Sequence, residues 1–218
     1  PPRSTLFPYT TLFRSILPRP SGPVMLLSLL LTGTAAAPAG DLQEPREVVF
    51  VAALDGTAQL LLERLPATYR PEAMHDAVIA LHGHGADRHQ YAANPRDECR
   101  AVRDVAARHG MILVSPDYRA LTSWMGPAAE ADMLQIIADL RRRHRVRHIF
   151  LAGGSMGGSA ALTFTALHPH LVAGVSSQNG TANLLEFSNF QDAIAASFGG
   201  GKETRSEERR VGKECRSR

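Results

Sequence analysis

Several things are scarce in this chain, and each scarcity excludes a class. Two cysteines in 218 residues cannot staple a disulfide framework. There is one tryptophan, aromatics make up 6%, and no apolar run is long enough to span a bilayer. No internal repeat or low-complexity block is present. No Gly-Lys-Ser/Thr follows the richest glycine cluster, which argues against a phosphate loop. Charge of one sign is also lacking: 24 Lys+Arg stand against 21 Asp+Glu, a formal net of +3. What remains is globular composition, 44% hydrophobic and 21% charged with 18 Gly and 14 Pro, at a length suited to one domain. A pI near 9.2 hints at a polyanion partner, but only if the basic residues belong to the fold.

They are concentrated at the ends. Residues 1–15 read PPRSTLFPYTTLFRS and residues 205–218 read RSEERRVGKECRSR. The two ends are related as translations of complementary DNA strands. Pro2 (CCG) faces Arg218 (CGG), Arg3 (AGA) faces Ser217 (TCT), and Thr5 (ACA) faces Cys215 (TGT). The match runs inward to Ser15 and Arg205, and all 14 pairs admit complementary codons. Both ends resemble a sequencing-library adapter read on its two strands, so 1–15 and 205–218 are set aside as artefacts. Eight of the 24 basic residues and three of the 21 acidic ones lie there, which leaves 16 against 18. The hint of a polyanion partner goes with them, and so does Cys215. The expectation is a domain over 40–204 that is incomplete at its C-terminal end.

Residues 24–37 (VMLLSLLLTGTAAA) form an apolar run of signal-peptide length, and Ala37-Pro38-Ala39 fits a small-residue cleavage site. The region 16–39 is therefore expected to direct secretion or periplasmic export. Beyond it, strands and helices alternate. EVVFVAA (47–53) and AQLLLERL (58–65) flank the turn signal Asp55-Gly56. Short apolar runs follow at 76–81, 111–114, 149–152 and 171–175. Helical spacing covers 98–109, 128–143 and 159–167 and resumes at 190–197. Strands separated by helices of this length predict an α/β fold: a mostly parallel sheet, helices on both faces, and an antiparallel hairpin at one edge. In such sheets the working groups lie at the carboxyl ends of the strands.

Two loops occupy those ends. Gly153-Gly154-Ser155-Met156-Gly157 lies between a strand and a helix, as a nucleophile elbow requires. A serine in that strained turn needs neighbours without a Cβ two before and two after it, Gly153 and Gly157. The helix start presents backbone N–H groups and positive dipole to a developing oxyanion, Met156 N–H first among them. The second loop is His82-Gly83-His84-Gly85, whose glycines let backbone N–H groups turn toward the same place. The second donor is expected to be His84 N–H, with Gly85 as the alternative. His82 and His84 lie two apart with no carboxylate signature beside them, which is not a metal-ligand pattern. No metal or cofactor is expected.

LHGHGADR (81–88) and GGSMGG (153–158) in this order resemble the α/β-hydrolase family over residues 46–200. More narrowly they are similar to secreted esterases of the polyhydroxybutyrate-depolymerase and feruloyl-esterase type, and to prolyl-oligopeptidase-type peptidases. The resemblance implies a Ser–acid–His triad acting through an acyl-enzyme. It implies a small-molecule or polymeric ester, or a peptide, as substrate, with no nucleic acid and no stable membrane span. The sequence departs from the pattern in one respect. After Ser155 the only histidines are His168 and His170, at the far end of a helix that starts at the elbow, about 18 Å away at 1.5 Å per residue. They are expected to cap helix carbonyls. Glu186 and Asp192 come too soon to be the acid. The acid and base are therefore expected beyond 204, with Ser155 as nucleophile and this chain inactive. The alternatives are a prolyl-oligopeptidase-type peptidase and a non-catalytic binding protein of the same fold.

Other residues leave two readings each. Asp117, Tyr118 and Arg119 line the pocket or form surface loop. Trp124 and Met125 wall the substrate site or pack in the core. The run Arg141–Arg147 reads as a solvated helix end, and Cys99 as a buried thiol.

Overall fold

The computed structural model describes residues 40–200. The expected signal segment and both adapter-like ends lie outside them. Six strands, β1 (Arg46–Val51), β2 (Ala58–Arg64), β3 (His75–Leu81), β4 (Ile112–Pro116), β5 (Val146–Gly154) and β6 (Gly174–Gln178), form one sheet in the order β1-β2-β4-β3-β5-β6. β3, β4, β5 and β6 pair in parallel, while β1 and β2 form an antiparallel hairpin joined to β4. The hairpin turns at Asp55-Gly56, where Gly56 takes φ +75.

β3 shows why the sheet is covered on both faces. Its side chains alternate, and Ala77, Ile79 and Leu81 join one buried cluster while Val78 and Ala80 join another. The first cluster is completed by α3 (Pro127–Arg143) and α4 (Met156–Leu167), through Met133, Ile136, Ile137, Leu140, Ala160, Ala161 and Phe164, with Ile194 of α5 (Gln191–Phe198). The second is completed by Tyr91 of α1 (His89–Ala93) and by Cys99, Val102 and Ala106 of α2 (Asp97–Arg108). Cys99 is a buried free thiol, as expected.

Boundaries shift for local reasons. α4 starts at Met156, not at 159: Gly157 and Gly158 are poor helix formers, which hides the first turn in the sequence, yet both lie in the helix. β6 runs over 174–178 rather than 171–175. Leu171 N–H closes a turn on His168 O, and pairing starts only at Gly174, opposite Phe150. The five-residue α1 was not anticipated, being too short to show a period.

Three of the five arginines in the basic run are ion-paired. Arg142 pairs with Asp139, Arg143 with Glu63 and Arg147 with Asp76, and Arg145 donates to Glu72 O. No helix among the described residues is long and apolar enough to cross a membrane.

Candidate active site

Register builds the site. Parallel pairing of β3 with β5 sets Leu81 opposite Gly153, so the two strands end side by side. The loops leaving them, 82–88 and 153–157, enter one open cleft of about 1190 Å³, which His84, Gly154, Ser155 and Gln178 line.

Ser155 joins β5 to α4 with φ 54 and ψ −119, a conformation that costs a residue with a Cβ on the order of 1–3 kcal/mol. Its N–H donates to Gln178 O of β6 at 2.8 Å, and its side chain is exposed. The turn is tight enough to require both expected glycines. A Cβ on Gly153 would lie 2.3 Å from Gly157 O, and one on Gly157 would lie 2.0 Å from Leu81 O and 2.6 Å from His82 O. The elbow thus packs directly on the backbone of the neighbouring loop.

Accounting for the N–H groups of that neighbour singles one out. Gly83 N–H donates to Gln90 Oε1, Gly85 N–H to Leu121 O, and Ala86 N–H to Gly83 O. His84 N–H has no acceptor among the described residues, and neither does Met156 N–H at the first position of α4. Gly85, the alternative donor, is occupied.

The His84 side chain has a defined tautomer. Trp124 Nε1–H donates to His84 Nδ1 at 3.3 Å, so a neutral His84 carries its proton on Nε2. In that form neither ring nitrogen offers a free lone pair to accept a serine proton. His82 is fully buried, with Nδ1 2.9 Å from Gly83 O and Nε2 3.2 Å from Asp117 O. No histidine among the described residues hydrogen-bonds Ser155 Oγ.

Four expectations resolve here. Trp124 and Met125 are 1% and 0% exposed and pack in the core; they do not wall the cleft. Both belong to the main core cluster, and the Trp124 ring lies against His84, Phe187 and Phe190. Tyr118 is likewise buried, with its pKa raised by burial, so its hydroxyl remains a donor. Asp117 and Arg119 are ion-paired rather than free at the surface. His168 does not cap a carbonyl with its ring; Nε2 meets Glu130 Oε1 at 2.8 Å. Among the described residues no cluster of side chains has the makings of a metal site. Sequence reasoning missed Gln90 and Arg88, whose roles depend on partners distant along the chain.

The sequence model of the alpha/beta hydrolase fold matches residues 76–218. No curated protein matches this chain. Similar solved structures include a substrate-bound fluorophosphonate-binding serine hydrolase F of Staphylococcus aureus, 17% identical with a TM-score of 0.55 over 69% of this chain and 64% of that one. A ferulic acid esterase of the anaerobic fungus Anaeromyces mucronatus is 15% identical, with a TM-score of 0.51 over 62% of this chain and 58% of that one. Prolyl oligopeptidase B from Galerina marginata is 16% identical, with a TM-score of 0.55 over 73% of this chain and 24% of that one. At these identities the likeness is one of fold, and this chain spans less than two thirds of the length of each of the three.

Proposed function

Because this chain belongs to the α/β-hydrolase fold family, we propose that it carries the nucleophile and oxyanion site of a serine hydrolase acting on carboxylic esters through an acyl-enzyme. One observation carries the proposal. Ser155 stands exposed in a strained strand-to-helix turn, in the cleft it shares with His84, while the backbone N–H groups of His84 and Met156 are uncommitted.

In the proposed reaction Ser155 Oγ bonds to the acyl carbon and its proton passes to a general base. The carbonyl oxygen gains negative charge and accepts from Met156 N–H and His84 N–H, and the helix dipole of α4 favours that charge. Collapse breaks the ester C–O bond, and the base returns the proton to the leaving alcohol. Water then adds to the acyl-serine by the same route and regenerates the hydroxyl. The base and its acid partner come, in this proposal, from chain beyond the described residues. His82 is engaged by carbonyls and His84 by Trp124.

The test is chemical rescue. Ser155 faces an open cleft, so a small base can reach it. The 218-residue chain alone is expected to turn over p-nitrophenyl acetate no faster than its Ser155→Ala variant. With added imidazole it is expected to exceed that variant about tenfold, a modest share of what a positioned base supplies. A fluorophosphonate probe should then label Ser155 in a peptide map. Imidazole-dependent rates equal in both proteins would overturn the serine mechanism. Clear turnover without imidazole would overturn the external base. Preference for a prolyl anilide over the ester would overturn ester specificity.

We further propose export through the 24–37 segment. N-terminal sequencing of protein recovered from the periplasm or medium should begin after Ala39.

A further inference from the structure

The loop after β4 holds the donor loop at both ends. Tyr118 Oη–H donates to His82 O at 2.7 Å, at the upstream end. Asp117 grips the downstream end: Oδ1 accepts Arg88 N–H at 2.8 Å and Oδ2 accepts Arg88 Nη1 at 2.9 Å. Between these points, Asp117 O meets His82 Nε2 and Leu121 O accepts Gly85 N–H. The holding loop is itself strained and anchored. Tyr118 and Arg119 have φ of 31 and 92, which residues with a Cβ rarely adopt. Arg119 is pinned by Asp55 at 2.7 Å and by the buried Asp132 at 2.8 Å. Strain of this kind persists only where surrounding contacts over-determine the backbone.

Those contacts converge on one consequence. With His82 O, Gly85 N–H and Arg88 fixed, the peptide between Gly83 and His84 has little freedom, and the His84 N–H is left without an acceptor among the described residues. We infer that Asp117 and Tyr118 are positioning residues for the oxyanion donor at His84, acting through Arg88 and His82 and not by touching substrate. The inference rests on the serine-esterase proposal above.

The experiment compares the 218-residue chain with Asp117→Asn and Tyr118→Phe under imidazole rescue, and adds hydrogen exchange of the 82–90 peptide. Each substitution removes one anchor and keeps the side-chain volume. Each should lower the maximal acylation rate about ten- to a hundredfold, as a displaced donor would. The KM for the ester should stay unchanged, the melting temperature should fall by no more than about 10 °C so that the protein stays folded in the assay, and amide exchange in 82–90 should quicken. Asp97→Asn, which removes an exposed ion pair on α2, should leave all four readouts unchanged. An unchanged maximal rate overturns the inference. So does a rate loss that only follows loss of folded protein. If the parent itself shows no Ser155-dependent acylation, the esterase reading fails. The exchange data then decide separately whether Asp117 and Tyr118 order the loop, and unaltered exchange overturns that as well.

Discussion

Glu63 offers a quantitative test of how the hairpin is locked to the sheet. Its side chain is 0% exposed, on β2, yet it is surrounded by donors. Oε1 accepts from Arg46 at 2.6 Å, and Oε2 accepts from Arg143 at 2.7 Å and from His144 Nε2 at 3.2 Å. His144 is itself held, with Nδ1 2.7 Å from Tyr69 Oη and Nε2 3.0 Å from Arg143 Nη1. Burial pushes the carboxyl pKa up, but the hydrogen bonds from His144 and Arg143 and the guanidinium charge outweigh it and bring it to about 2. Against an ordinary 4.5, that is worth about 3 kcal/mol at neutral pH. Glu63→Gln removes the charge and turns an amide NH₂ toward Arg143 or Arg46. Urea unfolding at pH 7 should show a loss of about 3 kcal/mol, or a fall in melting temperature of about 10 °C for a domain of this size. The sign of the pH dependence follows from the depressed pKa. The stabilisation is complete above the unfolded value of 4.5 and drains away as pH falls toward 2. The gap between parent and variant should therefore be constant from pH 6 to 8 and narrow below pH 4.5. A loss under about 1 kcal/mol, or a gap that does not narrow in acid, would refute the reasoning.

Two further perturbations probe the elbow. Gly157→Ala places a methyl 2.0 Å from Leu81 O, where only backbone can yield; a loss above about 3 kcal/mol should appear as collapse of the soluble fraction on expression. Normal yield and melting would mean that the turn is looser than this geometry. Ser155→Gly relieves the φ 54, ψ −119 strain at some cost in chain entropy, so it should raise stability by about 1 kcal/mol while abolishing probe labelling. A lower melting temperature than the parent would show that the elbow is not strained.

The elbow and the loop that holds its partner differ in how far apart their causes lie along the chain. The elbow is partly legible because one steric constraint closes within five residues, a Cβ on Gly153 striking Gly157 O, whereas the need for Gly157 comes from Leu81 O and His82 O of the neighbouring loop. The alternation of β3 is legible for the same reason, since the period of two is local. The clamp on 82–88 joins Asp117 to Arg88 across 29 residues and Tyr118 to His82 across 36. Nothing in the tripeptide Asp117-Tyr118-Arg119 announces positive φ at two bulky residues, because that conformation is imposed by Asp55, Asp132, Arg88 and His82 acting together. Trp124 shows the same limit in one side chain. Its apolar bulk is equally suited to a pocket wall or a core, and burial decides for the core. Its one polar atom then fixes which nitrogen of His84 carries the proton. In this fold local sterics make the elbow of the proposed nucleophile readable, while the placing of the proposed oxyanion donor depends on contacts visible only once the sheet has brought them together.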